Sequence, residues 1–151
     1  MFLTQYFTLC ACLIVFLCAA FFFSQSDGYD PNKSKVSDDT LKAFVESELQ
    51  PNLDSVPGVG PVTVKWMEDN GIENTYQLVA KYMAATTTQT VQSEDGENVE
   101  IVDVFTTNNH FWHFLKDLGV RGARSGIVNA INQKVASWDT NYVDTTPYDQ
   151  M

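Results

Sequence analysis

Beyond residue 26 the chain contains no cysteine, because its three, Cys10, Cys12 and Cys18, all lie before that point. A disulfide framework and a thiolate zinc site are therefore excluded from the polar part of the protein. Basic residues are scarce too: nine Lys and Arg stand against nineteen Asp and Glu, for a formal net charge of −10. Phosphate binding draws its affinity from Lys and Arg, so this balance disfavours generic nucleic-acid binding. It suits protein partners, a bivalent metal or plain solubility. The sequence also lacks a phosphate loop, a nucleophile elbow and a metal-ligand set at a recognised spacing. No catalytic role and no cofactor are expected.

Charge of either sign is absent from the first 26 residues. Residues 2–23 form the one long apolar run, with Phe2, Leu9, Ile14, Phe16 and Phe23 spaced along it. At about 1.5 Å rise per residue, a helix over this run spans a hydrocarbon core of about 30 Å. Residues 1–23 therefore read as an N-terminal transmembrane helix, a single-pass anchor in a lipid bilayer. A cleaved secretory signal is the alternative, with Cys18-Ala19-Ala20 as its cleavage motif. No Lys or Arg precedes the run, however, and Phe21, Phe22 and Phe23 follow the motif at once. Lys33 and Lys35 lie just beyond the span, near Asp27 and Asp30, which mildly favours a cytosol-facing domain. The three cysteines serve as small apolar side chains in lipid.

Residues 24–37 are polar, with Gly28 and Pro31, and read as a linker. A helical domain follows over residues 38–138. Ser37 caps a first helix carrying Leu41, Phe44, Val45 and Leu49, stopped by Pro51. A further helix covers residues 74–85, with Tyr76, Leu78, Val79, Tyr82 and Met83 as its apolar positions. Between residues 86 and 107 the pattern turns β-prone, and Asp95-Gly96 supplies a turn, so a β-hairpin is inserted there. Glu94, Asp95 and Glu97 at its tip match no calcium-loop spacing and read as solvated. Helical periodicity resumes over residues 108–118 through Phe111, Trp112, Phe114, Leu115 and Leu118. A glycine-rich turn over 119–126 leads to a last helix over 127–138. Residues 139–151 read as a loosely held polar tail. The fold class expected is all-α, with an inserted β-hairpin and the N-terminal transmembrane helix.

The stretch from Val56 to Ile72 carries the clearest local signal. Gly58 and Gly60 are one residue apart and let a partner approach the main chain. Pro61 suits the first turn of a helix, Val62, Trp66 and Met67 give it an apolar face, and Gly71 ends it. This is the pattern of a helix-hairpin-helix, whose exposed N–H groups suit phosphates or acidic groups. A plain tight connection between two packed helices explains the same residues equally well. Elsewhere, His110 and His113 share a helix with Asp117, so a metal pair and an aromatic core helix with two polar positions compete there.

Several short motifs occur in one order: Phe44-Val45-Glu46, Val56-Pro-Gly-Val-Gly60, then Lys65, Glu68, Gly71 and Tyr76. Phe111, Leu115-Lys-Asp117 and Trp138 complete the series. In this order and spacing, residues 38–138 resemble the barrier-to-autointegration factor family, apart from the insertion at 86–107. The resemblance implies a helical homodimer that binds double-stranded DNA without sequence preference and meets membrane-associated proteins on a separate surface. Gly58, Val59, Gly60, Val62 and Lys65 correspond to its hairpin, and Arg121 and Arg124 lie in a basic turn where phosphate contacts are expected. The chain departs from the family in its acidity, its inserted hairpin and its apolar N-terminal run. Ser37-Asp38-Asp39 stands where the family has a basic segment, and the last helix differs at most positions.

Two functions follow. One is a membrane-anchored structural or adaptor protein that docks protein partners or further copies of itself, in a membrane-attached lattice such as a viral shell. The other is a membrane tether for double-stranded DNA. The net charge favours the first.

Overall fold

The computed structural model of the protein describes residues 27–148. The anchor residues Phe2, Leu9, Ile14, Phe16 and Phe23 lie outside that range. Among the described residues there are five α-helices: α1 (Asp38–Glu46), α2 (Pro61–Asp69), α3 (Thr75–Ala84), α4 (Val104–Asp117) and α5 (Arg124–Ala136). Between α3 and α4, β1 (Thr88–Gln92) and β2 (Asn98–Val102) pair as a two-stranded antiparallel sheet.

The all-α class is thereby corrected, and the expected transmembrane helix over residues 1–23 lies outside the described residues. The helices are accompanied by a sheet, built where β-branched Thr, Val and Ile alternate with polar residues. Nor is any described helix long and apolar enough to cross a membrane. The longest, α4, has 14 residues and carries Lys116 and Asp117 in its last turn. At about 1.5 Å per residue it falls well short of a bilayer core of about 30 Å.

Helix α5 is the centre of the molecule and packs against α1, α3 and α4. Ile127, Val128, Ala130, Ile131 and Val135 are all buried and only Gln133 is exposed, as expected of a helix enclosed on most sides. Tyr82, Phe111, Leu78, Leu115 and Met67 fill the space around it. Tyr82 and Phe111 meet edge to face with centroids 5.2 Å apart, a favoured aromatic geometry.

Helix α1 starts where Ser37 accepts a hydrogen bond from the Thr40 amide, the cap read from the sequence. It ends at Glu46 rather than running on to Leu49. Lys134, only 2% exposed, enters from α5 and donates to the carbonyls of Phe44 at 3.0 Å and Val45 at 2.8 Å, and to that of Ser47. These bonds satisfy carbonyls that the end of a helix leaves without partners. Burial pushes the Lys134 pKa down.

Helix α4 begins at Val104, four residues before the expected Asn108. Asp103 accepts from the Thr106 amide at 3.0 Å and from its hydroxyl at 2.7 Å, and so caps the helix earlier. Helix α5 likewise begins at Arg124, not Ile127, and stops before Trp138, which is exposed. Within α2 the apolar face is rotated from the expected one. Thr63 and Met67 are buried, whereas Val62 is 61% exposed.

Residues 139–148 are not loosely held. Tyr142 is buried, and its carbonyl accepts from Asn132 at 3.0 Å. Asn132 also donates to the Tyr82 hydroxyl at 2.9 Å, which donates in turn to Asn108 Oδ1 at 2.9 Å. Asn108 Nδ2 and the Tyr148 hydroxyl both donate to the Asp144 carboxylate, at 2.9 and 2.8 Å. A chain of buried, satisfied polar groups therefore ties the end of the chain to α3, α4 and α5. The segment before α1 is held as well. The Tyr29 amide donates to Asn109 Oδ1 at 3.0 Å, and the Tyr29 ring meets Tyr148 edge-on with centroids 5.4 Å apart.

Candidate functional site

Gly58 and Gly60 lie in a tight turn that leads into α2, but not between two full helices as expected. It is preceded by a single 3-10 turn, Leu53–Ser55, rather than by a full helix. Gly58 has φ of 90°. A Cβ there would lie 3.3 Å from Ile127 Cγ1 and 3.5 Å from the Ala123 carbonyl. Gly58 is thus glycine because α5 crosses close above it, as a tight connection between packed elements requires. Gly60 has nothing within 4 Å of its would-be Cβ, so its main chain is open to approach. Val59 is buried in the core and presents no side chain outward. Val62 is exposed, and Lys65 lies on the surface paired with Asp69 at 3.3 Å.

The turn before α5 lies beside Gly58. Lys35, Pro57, Gly58, Ala123 and Gly126 line one shallow cleft. Ala123, the N-cap of α5, has a left-handed φ of 52° and offers no side-chain hydrogen bond to the helix. The segment before α1 runs across this helix end. A Cβ on Gly126 would come within 2.9 Å of Val36 Cγ2, so a larger residue there would have to displace Val36.

Arg124 folds back onto the indole of Trp112, its guanidinium carbon 4.1 Å from the ring centroid, and donates to the Val120 carbonyl at 3.1 Å. Arg121 is exposed and makes no hydrogen bond or ion pair among the described residues. Lys33 and Lys35 join Arg124 and Trp112 around a second cleft of about 470 Å³. The only carboxylate in its lining is Asp27, which is paired with Lys116. That ammonium holds the Asp27 carboxyl below its ordinary pKa. Cations are thus concentrated at the N-terminal end of α5, in a chain that is otherwise acidic.

The inserted sheet has the opposite character. Segment 86–107 carries Glu94, Asp95, Glu97, Glu100 and Asp103 and no basic residue. Nearly every residue of both strands is exposed. The register pairs Val91 with Val99 and Gln89 with Ile101. Strand side chains alternate between faces, so Val91, Val99 and Ile101 share one. They are 42%, 44% and 38% exposed. An apolar strip therefore stands in water on a ribbon of two strands, a form of marginal stability by itself. Val99 and Ile101 at alternate positions were the sequence signal for this strip.

His110 and His113 are both exposed, and among the described residues no group of three His, Cys, Asp or Glu is arranged to hold a metal ion. A further notch between Leu49, Tyr76, Val79 and Trp138 opens over Lys134, with the Tyr76 hydroxyl donating to the Leu49 carbonyl at 3.1 Å. Comparison of the chain with protein-family models, with curated proteins and with solved structures finds no match.

Proposed function

We propose that this chain is a membrane-anchored structural adaptor whose helical domain docks protein partners through the inserted hairpin. The observation that carries the reading is the exposed strip Val91–Val99–Ile101 on a ribbon that touches the core only through Val102. Exposed apolar surface rimmed by charge favours protein contact. Among the described residues both outer strand edges of the ribbon also lack pairing, so a partner strand can add to either one. Membrane attachment rests on the sequence of residues 2–23, uncharged and apolar over the length a bilayer requires.

Tethering of double-stranded DNA is the competing reading, through the turn that resembles the barrier-to-autointegration factor family. It draws on the open main chain at Gly60 and on the exposed Arg121. Several of the chain's cations are already engaged, however. Lys134 is buried, Lys65 pairs with Asp69, Lys42 with Glu46, Lys33 with Asp30 and Lys116 with Asp27. Few cations remain to displace counterions from a phosphate backbone.

A photo-reactive amino acid at Val99 of the full-length chain, irradiated in its native membrane, tests the proposal. Covalent adducts with protein are expected. Absence of any adduct, together with salt-resistant retardation of random duplex DNA, would replace the adaptor with the tether.

A further inference from the structure

The cleft at the start of α5 and the tip of the hairpin are opposite in charge, and the hairpin is rooted at the other end of α4 and α5. The hairpin leads directly into α4 at Val104, and β2 packs against the turn Thr140–Tyr142 that follows α5. The cleft gathers around Arg124, where α5 begins, and Trp112, in the second half of α4. Helix α5 has 13 residues, so about 18 Å of helix separates the two regions. No hairpin residue lines the cleft, and nearly every residue of both strands is exposed. Within one molecule the two do not meet.

Resting on the adaptor reading above, we infer that the hairpin's occupant is a second copy of this chain. The carboxylates Glu94, Asp95 and Glu97 at the tip of one molecule enter the cleft of Lys33, Lys35 and Arg124 on the next. The cleft sets Lys35, Arg124 and Lys33, the last also reaching Asp30 at 3.5 Å, against Asp27, which is already bound to Lys116. The tip brings three carboxylates and no cation. An incoming carboxylate also meets the first amides of α5, which Ala123 leaves without a side-chain cap. Burial of Val91, Val99 and Ile101 beside the cleft adds an apolar contribution that salt does not screen.

Such a contact joins two different surfaces of the same protein. It is heterologous, and when its rotation does not close into a ring it propagates as an open row. Molecules fixed to one membrane would then form rows from a single kind of contact. Opposite charges also set the register, since a hairpin meeting a hairpin sets acid against acid.

The test is a charge exchange in the full-length chain, solubilised in mild detergent and followed by sedimentation velocity over a range of concentrations. One variant reverses the tip (Glu94→Lys, Asp95→Lys, Glu97→Lys) and the other reverses the cleft (Lys33→Glu, Lys35→Glu). The wild type is expected to associate with increasing concentration. Each variant alone should associate at least tenfold more weakly, and their equimolar mixture should recover to within threefold of the wild type. Recovery requires both variants to be folded, so misfolding cannot imitate it. The inference is overturned if the variants associate like the wild type or if the mixture stays weak. A wild type that stays monomeric overturns self-docking alone, provided the photo-reactive group at Val99 captures some other protein. Loss of association together with loss of every adduct at Val99 overturns the adaptor reading too.

Discussion

Lys134 caps the helix that carries Phe44: its ammonium donates to the Phe44 carbonyl at 3.0 Å from a position 90 residues further along the chain. Val45 and Ser47 contribute the other two carbonyls. A charged donor is thus buried against the negative end of a helix, where a cation is favoured.

Replacing Lys134 with Met keeps the aliphatic stem and removes the donors. Hydrogen bonds to a charged group contribute about 2 kcal/mol each, partly offset here by the desolvation that the lysine suffers. The variant should lose about 2 kcal/mol of unfolding free energy in urea titration, with frayed amide protection at the end of α1. An unchanged midpoint would show that the cap is energetically neutral.

Gly58 and Gly60 should respond differently to alanine. Gly58→Ala forces a left-handed φ and a contact with Ile127, so it should cost about 1–2 kcal/mol. Gly60 has an extended backbone, with φ of −107° and no neighbour, so Gly60→Ala should change stability by less than about 0.5 kcal/mol. Equal losses at both would mean that the turn's strain is shared rather than confined to Gly58.

The polar network at the end of the chain should be costly to open. Asn132→Ala removes the donor to both Tyr82 and the Tyr142 carbonyl. Leaving such groups buried without partners costs about 1–3 kcal/mol each. Faster proteolysis between residues 139 and 148 should accompany the lower midpoint, and unaltered proteolysis would show that the segment is held by other contacts.

Tyr29, Tyr82 and Tyr148 have pKa values raised above 10, with burial as the main cause. Their contribution to stability is complete below about pH 10, where the unfolded tyrosines keep their protons, and is lost as pH climbs towards the folded values. Lys134 works in the opposite sense, since its lowered pKa adds stability as pH rises towards about 10.4. Above that value only the tyrosine effect continues. The urea midpoint should therefore fall between pH 10.5 and 12, and less steeply in Tyr82→Phe, ~1.5 pH units being enough to see the difference.

Substituting Val91, Val99 and Ile101 together with Thr should leave the melting temperature nearly unchanged, because the residues are exposed and Thr keeps the β-branch. Adduct formation and self-association should nevertheless weaken. A loss of several degrees would identify the strip as part of the core rather than as a docking face.

What the sequence disclosed was governed by local chemistry. Ser37 as a cap, Pro61 at a helix start, Gly71 at a helix end and Asp95-Gly96 as a turn each depend on neighbours within a few positions. The misplaced boundaries have distant or side-chain-specific causes. Helix α1 stops early under Lys134, and the interior of the turn before α5 follows from the left-handed Ala123. Helix α2 turns Val62 to solvent because Thr63 and Met67 face the core, a choice that periodicity alone leaves open by one position. Residues 139–148 looked loose because their anchors, Asn108, Asn132 and Tyr82, are single polar residues inside apolar helices. Lys134, on the same stripe as Ile127 and Ile131, was the one visible sign that a buried charge awaited a distant acceptor. At the site, the cationic cleft is assembled from two segments about 90 residues apart, so no linear motif announces it.

The cap by Lys134 also has a consequence for synthesis. When α1 leaves the ribosome its last carbonyls have no donor, and they wait until most of the remaining chain has been made. Contacts of such sequence separation slow folding because the long loop must close before the contact is gained. Helix α1 should accordingly be among the last elements to acquire protection from hydrogen exchange in a refolding experiment, although it is translated first.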